Sequence, residues 1–348
     1  MTTTIHALEL FPRDIESIAA SLGMPNYACS QILSWIYEKQ VDSVDGMSNI
    51  RKEYREELEK QLYFRRSNVL TTQHASDGTI KKLLAWDDGE KQTETVMIPS
   101  KTRNTACVSS QVGCPVGCTF CASGLEGLEG NLDVGQIVEQ IIRLGSDSIT
   151  NIVFMGMGEP MANYDAVTRA IRILNAPWGL GIGARKITVS TVGLPVAIER
   201  LAKFDVPVTL ALSLHAPNDK LRKQLIPWAK FATIEEILKS CSIYFDATGR
   251  EITLEYLLLG GVNDRISEAK QLADLCKTLR CNVNLIRYNE VDGLEFKRPE
   301  TAQVRRFQET LSKGGVNSHI RASRGRDISA ACGQLKREHQ KITLGESS

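Results

Sequence analysis

Nowhere does this 348-residue chain approach the ~18 consecutive apolar residues that a membrane-spanning helix needs. It has no excess of charge of one sign: 42 Lys and Arg stand against 41 Asp and Glu. With 42% hydrophobic residues, that near-neutral balance excludes wholesale disorder. Gly at 26 and Pro at 11 are too few for a collagen-like or low-complexity chain, and no internal repeat is visible. Met1 to Arg13 lack a basic leader, an apolar run and a small-residue cleavage site, so no secretory signal is read there. The nine Cys form an odd set in a long chain, which is not a disulfide framework. The cytoplasm is the expected compartment, and the thiols become a question of metals or catalysis.

The length predicts two domains, or one large domain with an appendage. Apolar residues at helical spacing over 13–22, 28–40 and 50–61, broken at Pro25-Asn26 and Asp45-Gly46, predict a small helical domain over residues 1–70. Strand-like runs at 79–86 and 93–98, joined by Asp87-Asp88-Gly89, predict a β-hairpin linker over 71–104. From 105 to 335 seven candidate strands (106–110, 151–155, 186–190, 207–213, 251–258, 282–288 and 319–322) alternate with helical patterns. Such alternation predicts an α/β fold with a parallel sheet, open or closed into a barrel, whose chemistry lies at the C-terminal strand ends. A tail, 336–348, closes the chain.

Cys114, Cys118 and Cys121 fall within eight residues, spaced C-x₃-C-x₂-C, in the loop after the first strand of the alternating region. Thiolates are soft anionic ligands that suit iron–sulfur clusters or zinc. Gly113 and Gly117 allow the loop to fold tightly around a metal. A structural zinc site wants four protein ligands, and no second pair at matching spacing is present. Three thiolates suit a 4Fe–4S cluster that leaves one iron open to a small ligand.

This triplet, with Phe120 before its last Cys, resembles the radical S-adenosylmethionine (SAM) superfamily. The resemblance implies a full or partial barrel, here of the (βα)6 type. It also implies that SAM chelates the open iron and is split by one electron into a 5′-deoxyadenosyl radical. Four further segments narrow it: Cys107 to Cys114, Met155-Gly156-Met157-Gly158-Glu159-Pro160, Ser213 to Asn218, and Asp327 to Leu335. Together they resemble the RlmN family, which methylates C2 of an adenine in 23S ribosomal RNA and in some transfer RNAs. The related Cfr enzymes methylate C8. RlmN sequences commonly read Asn-Leu-Ile-Pro-(Trp or Tyr)-Asn-Pro where this chain reads Asn284-Leu285-Ile286-Arg287-Tyr288-Asn289-Glu290. Arg287 is Cfr-like and Glu290 matches neither, whereas Glu159-Pro160 and His215 to Asp219 are similar to RlmN and favour C2.

Adenine C2 has no lone pair to attack a methyl donor, so a polar methyl transfer lacks a nucleophile there, while a carbon radical can add. By resemblance Cys332 carries a methyl group from a first SAM. The radical from a second SAM takes a hydrogen from that methyl, and the methylene radical adds to the base. Cys107 then releases the product by pairing with Cys332, and Glu94 removes the adenine proton. Gly158, Glu159, Ser190, Ser213, Leu214, His215 and Asn289 are the implied SAM contacts. Arg321, Arg324 and Arg326, close in sequence to Cys332, are expected to favour its thiolate.

The implied partners are 23S ribosomal RNA, transfer RNA and a reducing electron donor of the flavodoxin or ferredoxin type. No membrane is expected and the chain is read as a monomer. Eleven basic against five acidic residues over 297–348, and Arg51, Lys52, Arg55, Arg65 and Arg66 near the N-terminus, are candidate phosphate contacts. The first 70 residues carry ten acidic groups against eight basic ones, so a solvated helix face is the simpler reading there.

Overall fold

A computed structural model describes residues 4–86 and 89–335. Asp87 and Asp88 of the expected turn, and the tail 336–348, lie outside the described residues. The N-terminal unit is built from β1 (Ile5–His6), α1 (Pro12–Ser21), α2 (Tyr27–Leu33), α3 (Lys52–Glu59) and β2 (Leu62–Tyr63). Pro12 opens α1, where its missing N–H costs nothing, and Asp14 accepts from the Phe11 N–H at 2.9 Å. Helix α2 passes directly into a π-helical turn over Ser34–Glu38. Strands β1 and β2 pair in parallel and close the unit.

The extension is larger than the expected hairpin. β3 (Ser67–His74), β4 (Ile80–Trp86) and β5 (Lys91–Pro99) form an antiparallel meander, and β5 pairs with β6 (Asn104–Cys107). The sequence hid β3 because most of its residues are exposed or half-buried and alternate weakly.

From β6 onward the chain alternates as expected. Beyond β6 come the short pair β7 (Gln111–Gly113) and β8 (Leu128–Asn131), then α4 (Val134–Leu144) and β9 (Asn151–Phe154). They are followed by α5 (Tyr164–Asn175), β10 (Ile187–Thr191), α6 (Pro195–Ala202) and β11 (Thr209–Ser213). Next are α7 (Asp219–Leu225), α8 (Ile234–Thr248), β12 (Ile252–Leu258), α9 (Ile266–Cys276), β13 (Cys281–Arg287), α10 (Thr301–Lys313) and β14 (Ser318–Arg321). Strands β6, β9, β10, β11, β12, β13 and β14 are neighbours in that order and all parallel. The barrel is therefore six strand–helix units ending in a seventh strand, and it stays open, since β14 pairs with β13 alone and β6 with β9 and β5. The β3–β5 meander is hydrogen-bonded onto its first edge, giving a ten-stranded sheet.

Local chemistry fixes the helix ends. Asp133 and Gln136 form a reciprocal capping box on α4, and Thr233 and Glu236 do the same on α8. Gly145 ends α4 with φ 91°, a left-handed conformation that only glycine adopts cheaply.

The helical unit does not stand apart from the barrel. Ala7, Leu10, Ile32 and Tyr37 belong to the same buried apolar cluster as Ile137, Ile171 and Leu254. Phe11 and Tyr37 both pack edge-on against Trp178. Glu139 of α4, fully buried, ties that helix to the start of β3: it accepts from the Arg66 N–H at 2.9 Å and from the Ser67 hydroxyl at 2.6 Å. It also pairs with Arg143 at 3.1 Å. Removing one partner of a buried charge pair strands the other, so Glu139→Ala is expected to lower unfolding stability by about 3–5 kcal/mol in a denaturant titration. A loss below about 1 kcal/mol, the value of an exposed pair, contradicts this role.

A candidate iron–sulfur and SAM site

Cys114, Cys118 and Cys121 lie on the loop between β7 and β8. Gly113 enters it at φ 73°, and a side chain there would place its Cβ 2.0 Å from the Gly127 carbonyl oxygen. Gly117 turns it at φ 67°. The Cys114 N–H donates to the Gly127 carbonyl at 2.9 Å and the Cys121 N–H to the Cys118 carbonyl at 3.1 Å. All three thiols are free and line one cavity of about 860 Å³, counted to its open mouth. Burial pushes each thiol above its ordinary pKa, Cys114 to about 12. Coordination to a metal removes such protons outright.

The opposite wall comes from strand ends. Gly158 follows β9 at φ 101°, and a Cβ there would sit 2.6 Å from the Gln111 Cβ. Glu159 is 3% exposed; its carboxylate accepts from the Met161 N–H at 3.0 Å and the Val192 N–H at 2.8 Å. Burial outweighs these bonds and raises its pKa. The Ser190 and Ser213 hydroxyls, at the ends of β10 and β11, are 3.1 Å apart.

His215 sits in a left-handed conformation, φ 56°, which costs a non-glycine residue about 1–3 kcal/mol. Its N–H donates to the Glu255 carbonyl at 3.3 Å and its carbonyl accepts from the Asn263 amide at 2.8 Å. Its Nδ1 accepts from the Leu257 N–H at 3.0 Å, which leaves the ring proton on Nε2. Burial, and then the Arg222 charge, lower its pKa to about 3, so the imidazole is neutral at physiological pH.

Cys332 borders this cavity and also a second one, which Cys107 shares. Its loop is sewn to the cysteine loop: the Ala122 N–H donates to the Gly333 carbonyl at 2.8 Å, and the Ser123 hydroxyl to the Leu335 carbonyl at 2.9 Å. Arg321, at the end of β14, contacts Glu255 at 3.3 Å. Its guanidinium is held charged first by Cys332, then by Glu255 and Cys107, against the cost of burial. Burial, and then Cys332, push the Cys107 thiol up to about 12, with Arg321 pulling the other way.

Not every expected residue faces the cavity. Leu214 is fully buried and contributes backbone only: its carbonyl accepts from Arg222 Nε at 3.2 Å. Asn289 borders the second cavity and accepts from Arg298 at 2.9 Å. Glu94 lines neither cavity; it is 2% exposed and paired with Lys81 at 2.8 Å. Arg324 turns away to Asp77 at 3.8 Å, so of the three arginines near Cys332 it is Arg321 that acts on the thiols. Of the N-terminal cations, Arg66 is bound inward to Asp133 at 2.5 Å, Arg65 bonds the Gln40 carbonyl at 3.2 Å, and Arg55 and Lys52 face Asp45 and Glu56 at 3.7 Å. Arg51 is exposed.

Two site residues escaped the sequence reading. Glu255 interrupts the otherwise apolar end of β12, which was a readable signal. Arg222 lies one turn before Leu225 and Ile226, on the apolar side of α7, and is 1% exposed.

A barrel with three free thiols on one loop, facing glycine and hydroxyl strand ends across one cavity, defines a radical SAM enzyme. Residues 108–275 match the Radical SAM superfamily, and residues 7–63 match the Ribosomal RNA large subunit methyltransferase N-terminal domain. The chain is 44% identical to a probable dual-specificity RNA methyltransferase RlmN of Alkaliphilus oremlandii, over 96% of this chain and 98% of that one. It is 45% identical to the same-named protein of Gloeobacter violaceus, over 91% of each. A crystal structure of a radical SAM methyltransferase from Sphaerobacter thermophilus superposes with a TM-score of 0.91 at 42% identity, covering 95% of this chain and 99% of that one. The chain belongs to the RlmN family of radical SAM RNA methyltransferases, whose cofactors are a 4Fe–4S cluster and SAM.

Gly158→Ala introduces both a strained left-handed residue and a Cβ overlap. SAM affinity, read by equilibrium binding to the cluster-loaded protein, is expected to fall by more than roughly tenfold. An unchanged affinity removes Gly158 from the SAM wall.

Proposed function

We propose that this chain methylates C2 of an adenine in 23S ribosomal RNA and in some transfer RNAs, in the cytoplasm and as a monomer. The observation that carries the reading is the place of Cys332, shared between the cavity that holds the three cluster thiols and the one that holds Cys107. Cys114, Cys118 and Cys121 hold the 4Fe–4S cluster. Gly158, Glu159, Ser190, Ser213 and His215 line the cavity that takes SAM, with Leu214 contributing its backbone and Asn289 reaching from the neighbouring cavity. When bound, and fed by a one-electron donor of the flavodoxin or ferredoxin type, these groups supply a carbon radical.

The chain's own residues do the rest. Arg321 places positive charge in the cavity lined by Cys332, the thiol assigned to accept a methyl group. Burial of Cys107 keeps its thiol protonated until it is needed. Once the base is joined to Cys332 through a methylene, Cys107 Sγ attacks Cys332 Sγ. The S–S bond forms, the S–C bond breaks, and its electron pair passes to the methylene carbon, which takes a proton. Each turnover then requires reduction of that disulfide. Glu94, paired with Lys81 at 2.8 Å, is assigned as the base for the adenine proton. The adenine enters by extrusion from the RNA, as in base-flipping enzymes.

The test is mass spectrometry of digested ribosomal and transfer RNA from a bacterial strain lacking C2 methylation and supplied with this chain. Wild type is expected to restore 2-methyladenosine and Cys332→Ala to abolish it. Cys107→Ala is expected to accumulate a covalent RNA–protein adduct. Unchanged 2-methyladenosine with Cys332→Ala contradicts the carrier role, and 8-methyladenosine in the wild type contradicts C2.

A further inference from the structure

Arg222 is one of the largest fully buried side chains in the molecule. Its hydrogen bonds all go to strand-end carbonyls: Nε to Leu214 at 3.2 Å, and Nη2 to Ser213 at 3.4 Å and to Val192. Carbonyls satisfy the donors but do not cancel the charge. Among the described residues no carboxylate lies within 4.0 Å of the guanidinium. A buried cation without a counter-ion is strongly destabilising, so the fold must supply an anion nearby. Arg222's carbonyl partners Val192 and Ser213 line the cavity of the three thiols, and the Thr119 N–H, next to Cys118, donates to the Leu225 carbonyl of the same helix at 3.0 Å. The groups whose negative charge would act on Arg222 are the carboxylates of Asp219 and Glu159 and, once metal is bound, the Cys118 thiolate. Asp219 also accepts from the Ile234 N–H at 2.9 Å, and Glu159 is engaged by two N–H groups. Cys118 is a cluster ligand whose charge persists whenever iron is bound.

We infer that Arg222 is the fixed counter-charge of the iron–sulfur site and a positioning residue for the strand ends that face SAM. This rests on the cofactor assignment above and adds a residue outside the ligand set. Reduction adds one negative charge to a site that already carries net negative charge. A buried cation that cannot move away stabilises the reduced form more than the oxidised one, because low dielectric strengthens the attraction. The same side chain clamps the carbonyls of Val192, Ser213 and Leu214, so charge and geometry come from one group.

Two substitutions separate these contributions. Arg222→Lys keeps the charge and loses the planar array of donors. Arg222→Gln keeps amide donors and loses the charge. Each reconstituted protein is titrated anaerobically, without SAM, and the reduced cluster is followed by electron paramagnetic resonance. Arg222→Gln is expected to shift the midpoint to more negative potential and to slow reductive SAM cleavage, at fixed reductant strength, by roughly tenfold. Arg222→Lys is expected to keep a near-native midpoint while losing SAM affinity. A native midpoint in Arg222→Gln, or equal shifts in both variants, overturns the inference and leaves a purely structural clamp. If Arg222→Gln does not take up iron, Arg222→Met is titrated in its place with the same criteria. Failure of the wild-type protein to take up a cluster counts against the cofactor assignment and not against Arg222.

Discussion

Charge balance in a cavity withdrawn from water is the constraint on which the rest of this structure depends. Three thiols that become thiolates on binding iron, together with Glu159 and Glu255, line one cavity. At low dielectric such a concentration of negative charge is not tolerated unless cations are built in. Two are. Arg222 bonds the carbonyls of Val192, Ser213 and Leu214 at the strand ends, and Arg321 lines the same cavity as Cys332. On the proposed reading Arg222 serves the cluster and Arg321 the methyl-carrying thiol.

The barrel makes this possible because parallel strands deliver their C-terminal ends to one rim. β9 brings Gly158 and Glu159, β10 Ser190, β11 Ser213 and His215, and β14 Arg321. The rim is rigid where the chemistry needs it: His215 is held in a strained conformation by hydrogen bonds to Glu255, Leu257 and Asn263. Two hydrogen bonds join the loop of Cys114, Cys118 and Cys121 to the Cys332 loop, so the two share one framework despite more than 200 residues of intervening chain. The N-terminal helices share the barrel's apolar core, which makes them a buttress of the same body.

Much of this was legible in the sequence. α4 was readable to the residue, because Asp133 and Gln136 cap one end, glycine ends the other and the apolar face repeats cleanly. The thiols of Cys114, Cys118 and Cys121 were readable because metal ligands cluster in sequence. What was not legible depends on distance through space. Glu94 sits on a strand whose sequence does not show that it is buried and paired with Lys81 of the neighbouring strand. Arg324 is as close in sequence to Cys332 as Arg321, yet it faces Asp77. Strand β3 escaped because its outer faces meet solvent and leave little alternation to read. Arg222 looked like one cation in a charged helix, and only the packing of α7 beneath the strand ends makes it an interior ion.

The central claim is that three thiolates hold a cubane whose fourth iron has no protein ligand and is taken by SAM. Mössbauer spectroscopy of the anaerobic, isotopically enriched protein tests it directly. The account predicts one iron site that changes its isomer shift and quadrupole splitting when SAM is added, while the other three do not. Four iron sites indifferent to SAM, or a centre retained unchanged after any one of the three cysteines is replaced, would contradict it.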